Sequence, residues 1–239
     1  LVDVMEDQVH VPYEEIPHFP QSNVQGHAAR LVFGRIGKTE IVAMQGRFHY
    51  YEGFAMKELT FPVYVMKQLG VENLIVTNAC GGINQEYQVG DLIILRDYIN
   101  MLGQNPLIGD NDERFGTRFP DMSQPYDIGL VEKAKAAATE KEITYKEGIY
   151  ALFSGPCYET AAEIRAYSVL GADCIGMSTV PETIAANYLG MKVLGIACIT
   201  NMATGIAKER HSHEEVVRIA EAAGTRLCAW VQRMLETWE

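Results

Sequence analysis

The chain has 239 residues, of which 48% are apolar and 21% charged, and its formal net charge is −11. That size suits one α/β domain, and the apolar share excludes a disordered chain. The acidic balance disfavours non-specific binding to nucleic acid or anionic membrane, so an anionic substrate needs a local cluster of donors.

The N-terminal stretch LVDVMEDQVH has neither the basic nor the apolar region of a secretory leader. No apolar run approaches the ~18 residues of a membrane span. Strand-like runs begin at Leu31 (LVFGRI) and Ile41 (IVAMQ). A helical pattern near Ala55 to Leu69 then leads into LIVTNA from Leu74, followed by DLIIL from Asp91. The segment from Asn100 to Tyr126 lacks periodicity and is rich in Gly, Pro, Asn and Asp. Loops above ~12–15 residues are usually lids or binding loops, and Phe115, Phe119 and Met122 give this one an apolar content that solvent contact alone does not require. It reads as functional or interfacial, with a mobile insertion as the alternative.

A helix near Ile128 to Lys141 precedes a run around Ile149, and VLGIACIT starts at Val193. The last helix, Glu214 to Leu235, carries Val216, Val217, Ala220, Ala223, Leu227, Trp230, Val231 and Met234 at helical spacing. Three boxes of the form S/T-x-x-E predict helix starts: Thr160 with Glu163, Thr179 with Glu182, and Ser212 with Glu215. Pro181 suits a first turn. Strands alternating with helices predict α/β architecture, a mixed and largely parallel sheet flanked by helices. Cys80, Cys157, Cys174, Cys198 and Cys228 are odd in number and widely spaced. They read as reduced thiols of a cytoplasmic protein, not as a disulfide or zinc framework.

Chemistry concentrates where strands end. In MQGRFHYYEG, Arg47, His49 and Tyr51 are spaced by two, which puts them on one side of an extended chain. Arg47 and His49 then form an anion site or merely cap a solvated strand. The glycines of TNACGG let backbone N–H groups approach an anion at the end of LIVTNA, or simply make a tight turn. In SGPCYET, Tyr158 and Glu159 stand at a helix entrance, where Glu159 is either a pocket acid or an acid favoured by the helix dipole. In GMSTVPE, Ser178 precedes a helix cap, where N–H groups favour anions, and Met177 is by default core filler. Thr200 and Asn201 in ITNMATG are a turn start or a polar handle in a pocket. His213 reads as structural or exposed. His211 and His213 form H-x-H without acidic or thiol partners at ligand spacing, so no metal site is expected.

The combination of GRFHYYEG, LIVTNACGGI, MLGQNPLIG, ERFGTRFPDMS, SGPCYET, GADCIGMSTVPE and ITNMATG resembles the trimeric purine nucleoside phosphorylases over essentially the whole chain. The resemblance implies one nucleoside-phosphorylase domain over residues 1–239, a homotrimer, and reversible phosphorolysis of 6-oxopurine nucleosides with inorganic phosphate as co-substrate and no cofactor. It implies that Arg47, His49, Ser178 and the backbone N–H of Ala79 hold phosphate. Tyr51, Met177 and His213 would contact ribose. Glu159 and Asn201 would hold the purine, with Tyr158 packing on it and Thr200 supporting Asn201. Phe119 would reach a neighbouring subunit's site. Asn201, Glu159 and His49 are the expected catalytic set. Glu159 as an acceptor-only carboxylate suits the N1–H of hypoxanthine or guanine and disfavours adenine. The family's N-terminal Gly-rich phosphate loop has no counterpart in these residues, and is expected to precede Leu1. A 5'-methylthioadenosine phosphorylase would favour Asp at the position of Asn201, and a non-catalytic nucleoside-binding protein need not keep Arg47, His49 and Ser178 together.

Overall fold

Alternation along one apolar strand sets the centre of the fold. In β8 (Lys192–Met202), Val193, Ala197 and Ile199 face one apolar cluster while Leu194, Ile196 and Cys198 face another. A strand covered on both faces reads as a continuous apolar run, because successive side chains point to opposite sides. β5 (Leu92–Asn100) divides in the same way, with Ile93 and Leu95 on the first cluster and Leu92 and Ile94 on the second.

The structure is a computed structural model that describes residues 1–21, 28–207 and 213–238, the side chains of His213 and Glu215 excepted. Within these residues β8 and β5 join β4 (Asn73–Gly82), β6 (Lys146–Leu152) and β7 (Cys174–Gly176) in a closed barrel of order β4-β7-β6-β5-β8. β4 and β8 run parallel, as do β5, β6 and β7 among themselves. The two groups meet in antiparallel seams, β5 with β8 and β4 with β7. The expected mixed sheet is present, but it curls shut. The glycines of TNACGG serve that closure: Gly81 and Gly82 pair with Ile175 and Cys174. A Cβ on Gly82 would press on Met202 and Ile199 at 3.0–3.2 Å. The pair is strand, not an open anion-binding turn, because a bulkier residue would hold the strands apart.

A second sheet is antiparallel, made of β1 (Glu6–Pro12), β2 (Arg30–Ile36) and β3 (Thr39–Gln45). β1 gave no periodic signal because it is an exposed edge, held at its start by Arg35 to Glu6 at 2.6 Å and to Asp7 at 2.7 Å. Helices cover the barrel. α1 (Met56–Gln68) and α4 (Val180–Tyr188) bury Val63, Met66, Val180 and Ile184 in the first cluster. α2 (Ile128–Glu140) and α5 (His213–Glu236) bury Leu130, Val131, Trp230 and Met234 in the second. Val217, expected on the buried stripe of α5, is exposed instead. α3 (Ala161–Val169) starts at the expected box, Thr160 Oγ1 accepting from Glu163 N at 3.2 Å. The Ser212–Glu215 box lies outside the described residues.

The long segment after β5 carries no helix or strand up to residue 127, as expected, yet it is tied down. Tyr188 donates to Asn111 Oδ1 at 3.0 Å or Asp112 O at 2.9 Å, and Phe115 meets Tyr64 edge-on at 5.3 Å. Phe115 and Met122 pack on the first cluster, as do Leu102 and Leu107, so these side chains serve the loop's own anchoring. Phe119 is 87% exposed. Cys80, Cys174 and Cys198 are buried free thiols. No helix among the described residues is long and apolar enough to cross a membrane.

Trp230 joins α5 to α2, with no exposed surface and its indole N–H donating to Ala134 O at 2.7 Å. Trp230→Ala is expected to destabilise the fold by about 3–5 kcal/mol, seen as a lower urea midpoint at unchanged slope.

Candidate active site

The chain leaving β3 turns inward with Arg47. Its Nη1 donates to Thr77 O at 2.7 Å and to Ser178 Oγ at 3.3 Å. Its Nε meets Glu182 Oε1 at 3.0 Å. One guanidinium thus joins the end of β3, the middle of β4 and the entrance of α4, and its Nη2 has no bond among the described residues.

The segment after Arg47 does not stay extended. Tyr50–Glu52 is a 3-10 turn, so the spacing-by-two argument fails beyond His49. Tyr51 still reaches its expected neighbour by another route, its ring stacked on His49 at 4.8 Å and 15°. Glu52 Oε1 accepts from His49 N at 2.7 Å and lies 3.2 Å from Nδ1, which fixes the imidazole. Glu52 gave a signal that passed unused, an acid three residues after the residue that opens a turn.

Ser178 owes its place to the antiparallel seam. β7 runs back along β4 from Gly82, so the residues after Gly176 come alongside Thr77 to Ala79. Thr179 has φ 78° and ψ −48°, and Val180 N bonds back to Ser178 O at 2.9 Å. That is a γ-turn of the rare, strained hand, at a β-branched residue that disfavours positive φ. Asn78 Nδ2 donates to Thr179 Oγ1 at 2.9 Å, and Ser178 Oγ lies 3.2 Å from the same hydroxyl. Capping requires extended backbone at the N-cap. Thr179 therefore makes no capping bond, and the expected box with Glu182 does not form. Pro181 occupies the first turn as expected.

Arg47, His49 and Ala79 line a common cavity of about 290 Å³ with Thr77 and Asn78. A larger cavity of about 1230 Å³ extends from Arg47, Thr77 and Glu182 between β3, α1 and β4. Glu159, Tyr158 and Asn201 line neither.

Those three stand at the end of β8 and the start of α3. Asn201 Nδ2 donates to Thr200 Oγ1 at 3.3 Å, and that hydroxyl donates to Cys80 O at 3.3 Å. Asn201 is paired in register with Gly81, where a Cβ would lie 3.1 Å from its Oδ1. Glu159 is buried, and burial pushes its carboxyl above the ordinary carboxylate range. Its own backbone N–H opposes the shift, and Glu163 adds to it. Gly205, in the turn after β8, abuts Ala161, so these two segments are neighbours although no hydrogen bond joins Glu159 to Asn201. Burial also raises the pKa of Tyr51, with Glu52 and Tyr158 adding to the shift and Arg47 opposing it.

The chain is similar to known proteins over nearly its whole length. The sequence model of the Phosphorylase superfamily matches residues 2–236. Purine nucleoside phosphorylase 1 of Bacillus subtilis is 50% identical over 239 residues, covering 100% of this chain and 88% of its own. The chain belongs to the purine nucleoside phosphorylase family. Among solved family members, the Schistosoma mansoni enzyme in complex with inosine superposes with a TM-score of 0.95 at 38% identity, over 100% of this chain and 87% of its own. The same enzyme in complex with adenosine gives 0.94 at 38% identity, over 100% and 86%.

Within this family member, the fold brings Arg47, His49, Ala79 and Ser178 together, and sets Tyr51 on His49. His213 begins α5, but its side chain lies outside the described residues. Phe119 points to solvent. Among the described residues no three His, Cys, Asp or Glu side chains are grouped as for a metal. Sequence reasoning missed Asn78 and Thr179, which orient Ser178, and Gly155. A Cβ on Gly155 would overlap Met177 Sδ and lie 3.1 Å from Tyr51 Cδ1, at a backbone φ of 65°.

Gly155→Ala must therefore push Met177 and Tyr51 apart. We expect it to lower kcat/KM on nucleoside by about 100-fold. Gly70→Ala, at φ 91° with nothing within 4 Å, is the control for backbone strain alone and should lower stability while sparing kcat/KM.

Proposed function

We propose that this protein catalyses the reversible phosphorolysis of 6-oxopurine nucleosides such as inosine and guanosine, giving the free base and (deoxy)ribose 1-phosphate. The observation that carries this reading is the Arg47 guanidinium held beside Ser178, with His49 and Ala79 on the same cavity. That arrangement suits a small tetrahedral anion in an acidic protein, where the overall field would repel one. Phosphate is the co-substrate, and the reaction asks for no further cofactor.

Breaking the glycosidic bond builds positive charge on ribose and negative charge on the departing purine. A phosphate anchored by Arg47, His49, Ser178 and the Ala79 N–H stabilises the oxocarbenium-like sugar and attacks its anomeric carbon. Tyr51, Met177 and His213 hold the sugar. Asn201, braced by Thr200, bonds N7 and O6 of the base and favours protonation at N7 as the bond breaks. Tyr158 packs on the purine. A donor that acts where charge develops is worth about 2.7–4 kcal/mol, so Asn201→Ala should lower kcat by about 100- to 1000-fold with less effect on affinity. The check is inosine and adenosine turnover in parallel, with and without phosphate. Hypoxanthine released only with phosphate supports the reading. Bound nucleoside with no free base in either case would make the protein a binder.

Selectivity for 6-oxopurines rests on Glu159, whose carboxylate accepts N1–H. A schistosome relative has been captured with adenosine, so turnover decides this point and binding does not. The accepting form is the carboxylate, present above the pKa and lost as pH falls through it. Because burial raises that pKa, KM for inosine should climb at a higher pH than an exposed glutamate would cause. Glu159→Gln, which can donate as well as accept, should abolish this acidic limb. It should also narrow the inosine-to-adenosine ratio by at least about 100-fold.

The protein acts in the cytoplasm as a homotrimer, in which Phe119 enters a neighbouring subunit's site. An 87%-exposed phenylalanine on an otherwise anchored loop supports this assembly.

A further inference from the structure

The first turn of α4 holds a carboxylate where the helix dipole favours one, yet no capping bond forms there. Glu182 is only 9% exposed, its expected cap is unformed, and its Oε2 is buried without a hydrogen-bond partner among the described residues. Burying a charged oxygen unsatisfied is unfavourable. Positions that break local rules in this way tend to serve function. Among the described residues the partner of Glu182 is Arg47, an ion pair with Oε1 and Nε 3.0 Å apart. Thr77 O and Ser178 Oγ take Nη1. The planar fork is thus held by hydrogen bonds at Nη1 and by an ion pair at Nε, leaving Nη2 as the corner for an anion.

We propose that Glu182 is the positioning residue of the phosphate site, aligning Arg47 while leaving phosphate itself to the arginine. The inference rests on Arg47 binding phosphate. A long arginine side chain loses much rotamer freedom when it is ordered. Glu182 has ordered it before phosphate arrives, so less is lost on binding. A competing effect has the opposite sign, because the carboxylate's charge also repels a phosphate on the far side of the guanidinium. Geometry and charge are separable, since Gln keeps an oxygen for Nε but carries no charge.

The test measures KM for phosphate and for inosine separately, with kcat, in Glu182→Ala, Glu182→Gln, Arg47→Ala and the Arg47→Ala/Glu182→Ala double variant. Glu182→Ala is expected to raise KM for phosphate at least about tenfold while KM for inosine stays within about twofold. Glu182→Gln should recover most of the loss, and in the Arg47→Ala background Glu182→Ala should add nothing. A general loosening of α4 would move both KM values and would not be recovered by Gln, and that result overturns the proposal. Tighter phosphate binding in both Glu182 variants also overturns it, in favour of charge repulsion. If Arg47→Ala itself leaves KM for phosphate unchanged, the phosphate-site reading fails. If Arg47→Ala raises it and Glu182→Ala does not, only the role of Glu182 fails.

Discussion

Arg47 is the joint on which the site depends. Its hydrogen bonds to Thr77 O and Ser178 Oγ and its ion pair with Glu182 draw on the second sheet, the barrel and a helix entrance at once. Each partner comes from a different part of the chain, so the cluster exists only when all three elements are docked. Charge-assisted bonds in a partly buried setting are stronger than neutral ones, which lets one side chain hold a junction that apolar packing leaves open.

Barrel closure supplies the other half. Had the strands formed an open sheet, the ends of β4 and β8 would lie at one edge, and the residues after β7 would lie wherever β7 led. The antiparallel seam folds β7 back along β4, and Ser178 and Thr179 arrive beside Thr77 and Asn78. The parallel pairing of β4 with β8 sets Asn201 against Gly81. The Arg47–Ser178 cluster is therefore built by an antiparallel contact and the Asn201 end by a parallel one. Small residues at Gly81 and Gly82 permit both, because a Cβ at either would crowd its neighbours.

Much of this was readable from the residues. The apolar runs at Leu31, Ile41, Leu74, Asp91 and Val193 are strands, and the helices near Ala55, Ile128 and Glu214 stand where periodicity put them. These signals survive because burial selects them one residue at a time along the chain. β1 stayed hidden because an exposed edge needs no apolar alternation, and β7 because three residues are too few for any period. Local rules misled where tertiary contact overrode them. Thr179 and Glu182 spell a capping box, but the γ-turn at Thr179 turns its hydroxyl to Asn78 and Glu182 turns to Arg47. Phe115 and Met122, which mark the long loop as apolar, pack on the first cluster.

The sequence by itself determined the α/β class, the positions of most elements, and the set of motifs at strand ends, because each depends on neighbours in the chain. Tertiary structure alone decided which of those motifs meet. Arg47 and Ser178 are 131 positions apart, and Asn78 and Thr179 are 101. No periodicity spans such distances. Strand direction and register, fixed by the packing of the whole barrel, bring them within hydrogen-bonding reach.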